Sequence, residues 1–173
     1  MKKIIPYLIL VIAVVVIDQL SKLAVVEFMK LYDRINIIPG FLDFYHTRNT
    51  GIAFSIGSNL GIEERKLLFK ILPIGICIWV AREMYKEASQ NKVLAVAFAL
   101  ILGGAIGNII DRIRLDYVVD FISTYSNGIG FLPSWEFAIF NIADAAVSVG
   151  AVLIAYETIF AKFIKKKKSE NVA

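Results

Sequence analysis

Only one cysteine and one histidine occur in this chain of 173 residues. Cys77 alone excludes an intramolecular disulfide and any cysteine-built metal site, and it lies in an apolar run that suits a small hydrophobe. His46 reads as a surface residue beside an external loop, with no metal site assembling around it. Nothing matches GxSxG, HExxH or a glycine-rich phosphate loop, so serine-hydrolase, zinc-protease and nucleotide-driven readings lack their residues. No internal repeat and no linker divide the chain, and the only low-complexity tract is a run of lysines near its end. No cofactor and no metal are expected.

What the chain does have is apolar surface. Hydrophobic residues make up 58% of it, and the mean hydropathy is +0.68, well above a soluble domain and in the range of an integral membrane protein. A spanning helix needs about 20 predominantly apolar residues. Four segments qualify, at about 4–26, 67–85, 93–112 and 137–162, followed by a basic tail over 163–173. The expectation is one all-α membrane domain covering 1–173, a four-helix bundle. Lys2 and Lys3 before the first apolar run resemble the start of a signal peptide, but no small-x-small cleavage site follows, so the segment reads as a retained anchor.

The net charge of +4 is concentrated rather than spread. Lys162, Lys165, Lys166, Lys167 and Lys168 crowd the tail, where such a cluster sets topology and touches anionic lipid instead of nucleic acid. With Lys2, Lys3, Arg82, Lys86 and Lys92 on the same side, both termini are expected in the cytoplasm. The connections over 27–66 and 112–136 then lie outside. In the first, "RINIIPGFLDFYHTRNTGIAF" sets two β-prone runs around Pro39-Gly40, a hairpin pattern. Behind it, "SNLGIEERK" offers Ser58 or Asn59 as the cap of a short external helix, with Glu63 and Glu64 following. Ala99, Gly103 and Gly107 recur every four residues and make a smooth strip for close helix packing. Trp79, Tyr85, Tyr117 and Trp135 fall near span ends, where aromatic rings anchor.

Ionisable residues inside a membrane segment are costly and tend to face the bundle interior. Asp18 and Lys22 stand at i and i+4 in the favourable order for an ion pair, and pairing alone explains them. Asn108 and Asp111 share a face at i and i+3, next to Arg112. An interfacial charge cluster accounts for Arg112, while its fork of donors equally suits orienting a substrate backbone or headgroup. Asp120 stands among apolar neighbours in the second outer loop, and Asp144 is read as about two turns into the fourth span, three residues after Asn141. If the loop folds back, the two carboxylates meet just inside the outer surface. One ionised acid that takes a proton from water and one protonated acid that donates to a carbonyl make a hydrolytic pair. Membrane carboxylates also relay protons or bind ions, so a small proton-coupled transporter or channel subunit remains the alternative.

The motifs "DQLSK", "RNTGIAFS", "GGAIGNIIDR", "VVDF" and "FNIAD" occur in the order found in the lipoprotein signal peptidases (signal peptidase II), and across most of its length the chain resembles that family. The resemblance implies a small intramembrane aspartyl peptidase of the bacterial cytoplasmic (inner) membrane that cuts prolipoproteins before a diacylglyceryl-modified cysteine. It implies Asp120 and Asp144 as catalytic, Asn49, Asn108, Arg112 and Asn141 as lining the site or holding substrate, and Asp18, Lys22 and Asp111 as supporting polar residues. It also implies four transmembrane helices, a small external β-sheet that cradles the substrate, and a short external helix, with the site near the outer face. The partners expected are the lipid-modified prolipoprotein and membrane lipid, with no nucleic acid and a monomeric state. One departure stands out: the segment between Asp120 and Asn141 is several residues longer than is common in the family, and its glycines and Pro133 suggest a flexible loop.

Overall fold

The computed structural model describes residues 3–51, 64, 71–128 and 133–170, with side chains up to Phe160. It contains helices α1 (Ile5–Phe28), α2 (Leu72–Glu87), α3 (Lys92–Leu115) and α4 (Ile142–Glu170), and strands β1 (Arg34–Ile38), β2 (Leu42–Asn49), β3 (Val118–Ser126) and β4 (Trp135–Glu136). Three helices among the described residues are long and apolar enough to cross a membrane: Ile5–Phe28, Lys92–Leu115 and Ile142–Phe160. The described part of α2 has 16 residues, and the expected start of that span at 67 lies outside the described residues, as does all of the expected external helix except Glu64.

In α1 the buried residues Tyr7, Val11, Val14, Asp18, Lys22 and Val25 recur every three or four positions and form one face. The opposite face leaves large apolar side chains such as Ile9, Ile12 and Leu20 exposed, as lipid contact requires. Helix α3 is the hub, packing against α1, α2 and α4. Asn91 caps its start, accepting hydrogen bonds from the backbone of Val93 and Leu94. The expected smooth strip is present and serves two neighbours. A Cβ on Gly103 would come within 2.8 Å of Val14 in α1, and one on Gly107 within 2.5 Å of the Asp18 carboxylate. Gly104 takes the other side, closing on Ala143 and Val147 of α4.

The sheet is antiparallel, in the order β1-β2-β3-β4. Gly40 adopts φ +76°, and Phe41 N–H donates to Ile38 O at 3.0 Å. This is the type II turn that Pro39-Gly40 predicts. Asp43, buried in β2, ties three strands: it accepts from Arg34 at 2.8 Å, Asn36 at 2.6 Å and the Tyr125 hydroxyl at 3.3 Å. Burial opposes its ionisation, but those hydrogen bonds and the Arg34 charge outweigh burial and hold the carboxyl below its ordinary range.

Five expectations need correction. His46 is buried, not a surface residue, because its Nδ1 meets Met29 O at 3.0 Å and its backbone pairs with Tyr32 and Asp33. The fourth helix begins at Ile142 rather than 137, because Phe137 and Phe140 bond to β3 instead of turning into helix. Asp144 therefore sits in the first turn of α4, not two turns in. Much of the long segment after Asp120 is strand rather than loose loop, and Trp135 belongs to β4 rather than to a span end; residues 129–132 lie outside the described residues.

Candidate active site

Three helices and the sheet bring the predicted polar residues to one place. Lys22, almost fully buried on α1, points its ammonium at Asp18 Oδ2 (2.9 Å), Asp111 Oδ2 (3.0 Å) and Asn108 Oδ1 (2.9 Å). An ammonium has three N–H donors, and all three are used. Asp18 Oδ1 also accepts from the backbone N–H of Ala143 in α4 at 3.0 Å. Asp111 Oδ2 accepts from the Val119 N–H of β3 at 3.1 Å. One ion cluster thus fastens α1, α3, α4 and β3 together.

Gln19 belongs to this cluster and was passed over in the sequence. Its amide donates to Asp111 Oδ1 at 2.9 Å, to Asp18 Oδ2 at 3.2 Å and to Gly107 O at 3.2 Å. The signal was its place beside Asp18 in "DQLSK".

The start of α4 explains the second motif. Asp144 N–H donates to Asn141 Oδ1 at 2.9 Å, and Asn141 N–H donates to Asp144 Oδ2 at 3.2 Å. This is a reciprocal capping box with Asn at the cap and Asp three residues on. A carboxylate is best tolerated at a helix N-terminus, where free N–H groups point outward. The same Asn141 reaches across to the sheet: its Nδ2 donates to Asp120 Oδ1 at 2.6 Å and also lies 3.1 Å from Asn108 Oδ1.

Asp120 is 2% exposed on β3, and Asn49 of β2 donates to its other oxygen at 3.0 Å. Asn108 Nδ2 donates to Asp144 Oδ1 at 2.8 Å. Asp120 and Asp144 are therefore joined through amides, with Asn141 touching both, and among the described residues no cation forms an ion pair with either. Burial pushes the Asp120 carboxyl up to about 6, and the Asp144 charge adds to this, against the pull of Asn49, Asn141 and the Lys22 charge.

Arg112 lies within electrostatic reach of Asp144, Asp120 and Asp111. Among the described residues nothing accepts a hydrogen bond from its guanidinium. All nine residues singled out in the sequence stand in or beside this network. Among the described residues no group of three or more His, Cys, Asp and Glu side chains forms a metal site. Two carboxylates linked through one amide, one of them with its proton affinity raised, are the arrangement that can activate a water and protonate a carbonyl oxygen.

The family described as signal peptidase (SPase) II matches residues 10–160. Lipoprotein signal peptidases of Salmonella newport (strain SL254) and Salmonella typhi are each 36% identical to this chain over 160 residues, covering 92% of it and 92% of the relative. Two solved structures, both described as a bacterial membrane enzyme determined by the in meso method, share the fold with TM-scores of 0.75 and 0.75. They are 32% and 35% identical, covering 91% and 88% of this chain and 89% and 92% of their own.

Proposed function

The chain belongs to the signal peptidase II family, and on that premise we propose that Asp120 and Asp144 are the catalytic acids with which it removes signal peptides from prolipoproteins. The observation that carries this is the link through Asn141, which holds the buried Asp120 and the half-buried Asp144 together with amide partners while the Lys22 ammonium is consumed by Asp18 and Asp111. Asp120, whose surroundings favour its protonated form, is the acid; Asp144 is the base. Asp144 takes a proton from water, the hydroxide attacks the scissile carbonyl carbon, and Asp120 protonates the carbonyl oxygen. Collapse of the tetrahedral intermediate breaks the C–N bond, the proton held by Asp144 passes to the leaving amine, and Asp120 takes back a hydroxyl proton as the C=O re-forms. Asn49, Asn108 and Asn141 orient the two acids, and Arg112, whose guanidinium meets no acceptor among the described residues, holds the substrate backbone or headgroup.

The rest of the reading follows from that placement. The chain is a single domain over 1–173 that crosses the membrane four times, with α2 and the residues before it as the second span. Both termini are cytoplasmic, the sheet lies outside as a cradle for the substrate, and the site opens near the outer face. There the acyl chains of a diacylglyceryl-modified cysteine stay in the bilayer while the peptide bond before it enters between helices. The protein acts as a monomer in membrane lipid, without nucleic acid. Transport has no support from family membership.

The test is to incubate the purified chain with a diacylglyceryl-modified prolipoprotein and follow the size shift on a gel, beside Asp120→Asn and Asp144→Asn. Cleavage by the wild type and none by either variant is expected. Near wild-type turnover by either variant would remove that acid from the catalytic pair.

A further inference from the structure

Every donor of the Lys22 ammonium leads, through a single side chain, to one of the two proposed acids or to the residue just before it. Asp18, whose Oδ2 meets the ammonium at 2.9 Å, accepts with its Oδ1 from the backbone N–H of Ala143 at 3.0 Å. Ala143 is the residue before Asp144. Asp111, whose Oδ2 meets the ammonium at 3.0 Å, accepts on that same oxygen from the backbone N–H of Val119 at 3.1 Å. Val119 is the residue before Asp120. The third donor goes to Asn108 Oδ1 at 2.9 Å, and Asn108 gives its own Nδ2 to Asp144 Oδ1 at 2.8 Å.

Holding a backbone amide fixes more than holding a side chain. Neighbouring Cα atoms stand about 3.8 Å apart across a trans peptide, so a grip on Val119 or Ala143 leaves the acid that follows little room to move. Asn141 also bridges the two acids, but its amide reaches Asp120 across rotatable side-chain bonds. The ion cluster joins the β3 backbone to the α4 backbone directly. Asp18, Lys22, Val119 and Ala143 are each 2% exposed or less, and a close-packed interior transmits small displacements instead of absorbing them.

Stability alone is a poor reason for such a cluster, because a buried ion triad is seldom more stabilising than apolar side chains of the same volume. Its geometry gives another reason. We propose that Lys22 is the positioning residue of the catalytic pair: by tying Asp18 to Asp111 it holds the backbone before each acid and so sets the separation of Asp120 and Asp144. This rests on the reading of those two acids under Proposed function and deepens it. Lys22 touches neither acid and acts through Asp18, Asp111 and Asn108. Reacting groups must be held within about 0.5 Å of their productive geometry, and a misplacement of about 1 Å can cost about 10²-fold in rate.

A charge-free version of the cluster separates position from stability. Asp18→Asn, Lys22→Met and Asp111→Asn are combined in the full chain, which removes the ammonium without leaving an acid buried alone, and each asparagine can still accept its backbone N–H. Initial rates on the diacylglyceryl-modified prolipoprotein are measured well below the melting temperature of each protein. The melting temperature is expected to stay close to wild type while kcat falls about tenfold or more and KM stays within about twofold. Wild-type kcat in the folded variant would overturn the proposal, since the cluster would then serve stability alone. A raised KM at unchanged kcat would overturn it too, by assigning the cluster to substrate binding. If the triple variant does not purify folded, Asp111→Asn alone, which leaves Lys22 paired with Asp18 and weakens only the arm to β3, decides by the same kcat and KM readings. Asp120→Asn and Asp144→Asn run alongside: wild-type cleavage by either would sink the catalytic reading, whereas inactive acid variants beside a fully active cluster variant would sink this inference alone.

Discussion

Two groups of carboxylates lie close together in this protein, all buried except the half-buried Asp144, and are held in opposite ways. Asp18 and Asp111 share the Lys22 ammonium at 2.9 and 3.0 Å, with every donor of that lysine in use. Asp120 and Asp144 receive hydrogen bonds from Asn49, Asn108 and Asn141 and no ion pair among the described residues. An ammonium fixes charge and removes chemical freedom, whereas neutral amides fix position and leave the proton free to move. The difference separates a structural clamp from the pair proposed to react, built of the same residue type.

The comparison breaks most sharply on activity. Asp144→Asn and Asp120→Asn are expected to lower turnover by at least about 10²-fold, in chains that still insert and purify; gel-based cleavage kinetics would check it, and a tenth of wild-type activity would be too much. Lys22→Met attacks the clamp instead. It leaves Asp18 and Asp111 buried without their cation, at a cost of about 3–5 kcal/mol, read as a large drop in thermal stability in detergent. A stable Lys22→Met protein would mean the two groups are not held differently after all.

A third measurement sharpens the contrast through pH. The Asp120 carboxyl is raised from 3.8 to about 6 in the folded protein, so the folded state holds this proton more tightly than the unfolded state. Its contribution is therefore lost as pH rises from about 4 through about 6, a change of about 3 kcal/mol. Relative to the wild type, Asp120→Asn should gain that much stability between about pH 4 and pH 7.5. A stability difference independent of pH would refute the assignment of the raised group. The smallest effect is reserved for Arg112→Lys, which keeps charge but loses the planar fork. Cleavage should fall by about tenfold, with melting temperature unchanged; full activity would place Arg112 outside the site.

How much of this was legible varies residue by residue. Asp18 and Lys22 could be paired from sequence because i and i+4 are neighbours on any helix. Their meeting with Asp111 could not, since it needs α3 to approach α1 at Gly107, where a single added carbon would collide with Asp18. The hairpin at Pro39-Gly40 was readable from turn chemistry, but the pairing of β2 with β3 joins segments some seventy residues apart, and only the family resemblance implied a sheet. The start of α4 was misplaced because "FAIF" prolongs the hydropathy signal while the backbone of Phe140 pairs with Ile122. The i, i+3 spacing of Asn141 and Asp144 was visible throughout; its meaning as a reciprocal cap emerged once the helix start was known. His46 was misread because a loop position says nothing about the carbonyl of Met29 waiting beneath it.

The bond from Val119 N–H to Asp111 bears on how the protein is made. Emerging first, α1 can neutralise Lys22 with Asp18 inside its own helix, so it enters the bilayer with its charges already matched. Asp111 arrives later, on α3, and has one oxygen waiting for the backbone of the very strand that carries Asp120. That contact seats Asp120, and the bundle is completed once α4, which follows β3, brings the Ala143 N–H to Asp18. A partly assembled chain would therefore be proteolytically silent, with its cutting power withheld until insertion has finished.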